Sequence, residues 1–87
     1  MIERAVYKTG KDKDGDITSL CNSNEHWSPR KKTEAIADIE SGLYSYYVPW
    51  QGGKKTVIRV VNGRNGKYLR TDYDDTEKNN LDDLPDC

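Results

Sequence analysis

A small α+β domain follows from three features of these 87 residues: their number, their short β-like runs, and one stretch of helical period. The predicted architecture is a mostly antiparallel sheet of about five strands in the order ββαβββ. One amphipathic helix packs on one face, and a C-terminal tail docks. At this length a second unit would have no core of its own, so residues 1–87 are read as one domain.

Residues 2–9 carry Val and Tyr among alternating charges, and residues 17–21 form a second short β-like run. They are expected to pair as a hairpin across Lys11-Asp12-Lys13-Asp14-Gly15-Asp16, where Asp14-Gly15 tolerates the positive φ of a tight turn. Residues 22–27 read as a polar loop. Ser28-Pro29 supplies a helix start, with Thr33 as a later alternative. Ala35, Ile36, Ile39 and Leu43 then recur at helical spacing, and Gly42 closes the element. Arg30, Lys31 and Lys32 put positive charge where the helix dipole prefers negative. Residues 45–50 read as a strand with Tyr46 and Val48 on one face and Tyr47 on the other, followed by a Gly52-Gly53 turn. Residues 54–61, with Val57-Ile58-Arg59-Val60-Val61, are the strongest strand and are placed centrally. Asn62-Gly63-Arg64-Asn65-Gly66 turns the chain into a last strand over 67–71. Leu81 and Leu84, before Pro85, fit one docked helical turn.

Apolar and charged residues each make up 33%, there is no Phe, and six Tyr and two Trp must supply much of the buried area. The formal net charge of -1 hides a segregation. Residues 43–71 hold six cations and no acid, while residues 72–87 hold seven acids and one base. No apolar run approaches the roughly 20 residues that span a bilayer, and no secretory leader follows Met1, so the expectation is a cytoplasmic protein without membrane contact. Cys21 and Cys87 are too few for a disulfide framework and are read as thiols in a reducing compartment, a disulfide between them staying open should the compartment differ.

Each chemical constellation has a plainer counterpart. Asp12-x-Asp14-x-Asp16 resembles the opening of a calcium loop, but Ile17 stands where the EF-hand glycine belongs and Ser23 where the twelfth-position Glu belongs; a charged turn is the better reading. Cys21, His26 and Cys87 could ligate zinc, yet their spacing lacks the paired ligands of zinc modules. No metal or cofactor is expected. Cys21 with His26 is the thiol and imidazole pair available for nucleophilic catalysis, and Glu25 beside them opposes thiolate formation.

Lys67-Tyr68-Leu69-Arg70-Thr71, Asp74-Asp75-Thr76 and the ending Asn79-Asn80-Leu81-Asp82-Asp83-Leu84-Pro85-Asp86-Cys87 resemble a small, mostly bacterial family of uncharacterised proteins, domain of unknown function 3892. Asp14-Gly15-Asp16-Ile17-Thr18, Trp27, the run Ala37-Asp38-Ile39-Glu40-Ser41-Gly42 and Tyr46-Tyr47-Val48 extend the resemblance over nearly the whole chain. It implies a compact stand-alone module and carries no catalytic residue with it.

The functional expectation is a non-catalytic binding module with a protein partner. The alternative is single-stranded nucleic-acid binding, in which rings stack on bases and cations follow phosphates. Tyr46, Tyr47, Trp50, Arg59, Lys67, Tyr68 and Arg70 form the candidate surface, with the acidic tail folding back on it as a regulator. The plainer counterpart makes these rings the core's missing phenylalanines.

Overall fold

The computed structural model describes residues 2–50, 53, 55–64, 66–71 and 84–87. Among them the chain runs β1 (Ile2–Ala5), β2 (Lys8–Lys11), β3 (Ile17–Cys21), β4 (Arg30–Lys31), α1 (Lys32–Ser41), β5 (Tyr44–Pro49), β6 (Lys55–Gly63) and β7 (Gly66–Thr71). The class is α+β as expected, but the strands build two sheets rather than one of five. One is ordered β1-β5-β6-β7 and the other β2-β3-β4.

The division occurs inside the predicted first strand. The Val6 N–H donates to the Tyr47 carbonyl at 2.8 Å, and the next N–H, that of Tyr7, donates to the Cys21 carbonyl at 3.0 Å. Successive residues of one run thus serve different sheets. β1 leaves the expected hairpin to lie parallel to β5, from Ile2 opposite Tyr44 to Ala5 opposite Tyr47. β2 keeps the antiparallel pairing with β3. Their turn forms as expected: Asp12 Oδ1 accepts from the Asp14 and Asp16 N–H groups at 2.9 and 3.0 Å, and Gly15 sits at φ 85°.

The helix begins four residues after Ser28. Arg30 and Lys31 pair with Leu20 and Ser19 as the short β4, so the cationic run largely precedes the helix dipole instead of opposing it. Glu34 reaches back to the Lys31 N–H at 3.3 Å, the acidic half of a capping box. Gly42, at φ 77°, ends the helix with its N–H on the Ile39 carbonyl. Leu43, expected on the apolar stripe, follows that turn and is 65% exposed.

Helix α1 contacts β3 and β4 as well as β5, β6 and β7, so it joins the two sheets. The core comprises Val6, Ile17, Leu20, Ala35, Ile36, Tyr46, Val48, Ile58, Leu69 and Leu84. Burying each large apolar side chain contributes roughly 1.5–3 kcal/mol. Strand β6 is interior to its sheet, as its β-branched run predicted.

The docked part of the tail lies against β2. Asp86 bridges Thr9 in parallel, the Thr9 N–H donates to the Pro85 carbonyl at 3.0 Å, and the Cys87 N–H donates to the Thr9 carbonyl at 3.1 Å. Lys11 Nζ meets Asp86 Oδ1 at 2.9 Å and the Leu84 carbonyl at 3.0 Å. Cys21 and Cys87 form a disulfide with Cα atoms 6.4 Å apart, which corrects the expectation of two free thiols. The fold brings residues 66 positions apart to one point, a proximity that sequence spacing does not encode. The pairing also removes the argument from unpaired thiols to a reducing compartment. Leu81 and the acids of 72–83 lie outside the described residues. No described helix is long and apolar enough to cross a membrane.

Candidate functional site

Among the described residues, two places gather polar and aromatic side chains. The first lies where β1, α1 and β5 meet. Asp38 occupies the buried side of α1 beside Ala35 and Ile36, where an ionised carboxylate requires partners. Arg30 supplies a bidentate pair, Nε to Oδ2 and Nη2 to Oδ1, both at 3.0 Å. The Tyr46 hydroxyl donates to Oδ2 at 2.6 Å and accepts from Arg4 Nη1 at 2.9 Å. The Arg4 guanidinium lies 3.6 Å from the Tyr44 ring centroid and 5.4 Å from that of Trp27. Trp27 in turn meets Tyr46 edge to face at 5.7 Å.

Burial works to raise the Asp38 pKa, but hydrogen bonds from Arg30 and Tyr46 and the charges of Arg30 and Arg4 outweigh it, so the carboxyl is held below its ordinary value. Burial and the Asp38 hydrogen bond raise the Tyr46 phenol, against the lowering effect of Arg4. An ionised acid, a protonated phenol and two cations thus satisfy one another, and this arrangement holds the helix to the sheet. Sequence reasoning missed the cluster, although an acid within the apolar stripe of α1 was a legible signal that a cation must approach.

The second place is the outer face of the four-stranded sheet, turned away from α1. Register assigns its residues: Tyr47 is opposite Val57, Arg59 opposite Arg70, and Val61 opposite Tyr68. The intervening residues, Tyr46, Val48, Ile58, Leu69 and Thr71, point inward and are buried. On the outer face Val57 is 48% and Tyr68 43% exposed. The Tyr68 ring crosses Gly63, where a Cβ would stand 2.8 Å from the ring edge. Lys55 pairs with Glu3 and places its ammonium 4.4 Å from the Tyr47 ring centroid.

Of the seven expected surface residues, Tyr47, Arg59, Tyr68 and Arg70 share this face. Tyr46 does not; it is fully buried in the Asp38 cluster. Trp50 packs against the core, its Nε1 donating to Thr56 Oγ1 at 2.9 Å. Lys67 pairs with Asn62 on the helix side of the sheet and binds Glu40 at 2.7 Å. Period-2 alternation separates Tyr46 and Lys67 from the others, and their neighbours in space were not legible in the sequence. The disulfide withdraws Cys21 and Cys87 from any thiolate ligand set, and His26 is exposed on its loop. Among the described residues no group of three His, Cys, Asp or Glu side chains is placed to hold a metal ion.

A model of the family described as Protein of unknown function (DUF3892) matches residues 4–85. The chain belongs to this family. Within it, the residues that carried the resemblance take structural places: Trp27, Asp38 and Tyr46 in the buried cluster, Gly42 at the helix end, Cys87 in the disulfide. No curated protein and no solved structure matches the chain.

Proposed function

We propose that this DUF3892 chain is a non-catalytic binding module that docks a protein partner on the outer face of its four-stranded sheet. One observation carries the reading: the face combines the exposed Val57 and Tyr68 with Tyr47, Val61 and the cations Lys55, Arg59 and Arg70. Protein interfaces are enriched in Tyr and Arg, around a centre poor in charge. The opposite face is already spent on α1 and the core. A pull-down from lysate, with and without nuclease and at low and high salt, tests it with wild type beside Val57→Asp and Tyr68→Asp. A protein recovered after nuclease by wild type and lost by both folded variants supports the reading. Equal recovery by all three overturns it.

Single-stranded nucleic acid is the second reading, favoured by one specific arrangement. Tyr47 and Tyr68 lie on the same face with Arg59 and Arg70 in the strands between and beside them. The surface is smaller than the sequence implied, because Tyr46, Trp50 and Lys67 are engaged elsewhere. Binding of a labelled single-stranded oligonucleotide that falls steeply with salt and is lost in Tyr68→Ala decides for it. A role for the acidic tail in regulating this binding is tested by deleting residues 72–83 and repeating the titration.

A further inference from the structure

The segment 84–87 closes the outer edge of β2, and the means by which it is held differ in kind. Two backbone hydrogen bonds join it to Thr9. Lys11 binds the Leu84 carbonyl and the Asp86 carboxylate, and the Leu84 side chain enters the core. Each of these contacts can break and reform on its own. The bond from Cys87 to Cys21 cannot, and it sits at the far end of the segment, so the segment cannot peel from β2 while it is intact. Cys21 is buried in β3, whereas Cys87 is exposed.

We propose that the Cys21–Cys87 disulfide is a redox latch, and that its reduction frees segment 84–87 from β2 while the rest of the domain stays folded. A dithiol reductant, as its thiolate, attacks the Cys87 sulfur. The S–S bond breaks, its electron pair leaves on the Cys21 sulfur, and that sulfur takes a proton. The reductant's second thiolate then displaces Cys87 from the mixed disulfide, so the chain gains two electrons and two protons while the reductant becomes a disulfide. The latch is separable from the fold because the four-stranded sheet β1-β5-β6-β7, on which α1 also packs, contains neither cysteine. Release bares the Thr9 N–H and carbonyl, now buried, and leaves β2 with an unpaired edge of the kind that accepts an extended chain.

Amide hydrogen exchange on the full chain, followed by NMR before and after dithiothreitol, tests the latch. The Thr9 and Cys87 amides should exchange at least tenfold faster after reduction, while the amides of Val48 and Ile58 keep their rates. A Cys87→Ser chain should match the reduced protein without reductant. An unchanged Thr9 rate overturns the proposal, because the segment then stays bound without the bond. A parallel rise at Thr9, Val48 and Ile58 also overturns it, because the disulfide is then a staple of the whole fold.

Discussion

The Tyr46 hydroxyl donates to Asp38 Oδ2 at 2.6 Å, joining the middle of β5 to the buried side of α1. This contact accounts for a tyrosine where a core would otherwise take phenylalanine: the ring fills the space beside Trp27, and the hydroxyl answers the buried acid. Asp38→Ala leaves Arg30, Arg4 and the phenol without their common acceptor and should lower the unfolding free energy by about 3 kcal/mol in denaturant titration. Tyr46→Phe keeps the Arg30 pair and should cost about 1.5 kcal/mol.

The same cluster sets a pH dependence. The Asp38 carboxyl is held below its ordinary value of 3.8, so it contributes stability above that value and loses the contribution as pH falls through its folded-state pKa. The Tyr46 phenol is raised from 10.0, so its contribution is present below pH 10 and is lost as pH rises further. Denaturant midpoints should therefore fall on both sides. Asp38→Asn should flatten the acid arm and Tyr46→Phe the alkaline arm.

Val57 and Ile58 are neighbours in β6 on opposite faces, 48% and 1% exposed. Ile58→Ala should destabilise by about 2–4 kcal/mol. Val57→Ser should change thermal stability by about 0.5 kcal/mol or less. A large loss at Val57 would mean that the outer face is sealed in the free molecule, against its proposed role.

Gly42 adopts φ 77° where α1 turns into β5. No atom outside its chain neighbours lies within 4 Å of an added Cβ, so the cost of Gly42→Ala is conformational alone. Thermal unfolding should report a loss of about 1 kcal/mol.

Lys67 and Glu40 are both nearly half exposed, and their pair is open to solvent screening. Lys67→Ala should alter stability by about 0.5 kcal/mol or less, with the difference shrinking further in added salt. A larger, salt-independent loss would show that the aliphatic stem of Lys67, rather than its charge, packs on α1.

Much of the local structure was legible because it depends on neighbours along the chain. The alternation of Tyr46, Tyr47 and Val48, the Asp14-Gly15 turn and the helix end at Gly42 all appear where residue chemistry placed them. The reading of residues 2–9 as one strand failed because periodicity identifies an extended segment but not the strand beside it. Val6 and Tyr7 are equally extended, and only packing sends their hydrogen bonds to different sheets.

The candidate site divides along the same line. That Tyr47, Arg59, Tyr68 and Arg70 belong to strands followed from composition. That Tyr46 leaves the surface and Lys67 turns to the helix followed from where α1 lies. By itself, then, the sequence determined the α+β class, the Asp14-Gly15 turn, the helix end at Gly42, the strands over 45–50, 54–61 and 67–71 to within a residue or two, and the crowding of rings and cations into residues 43–71, since each rests on backbone preference and short-range pattern. The tertiary structure alone decided the two sheets, the Arg30–Asp38–Tyr46–Arg4 cluster and the bond between Cys21 and Cys87. The cluster and the disulfide join residues 8 to 66 positions apart, and such contacts exist only once the apolar faces have closed on a common core.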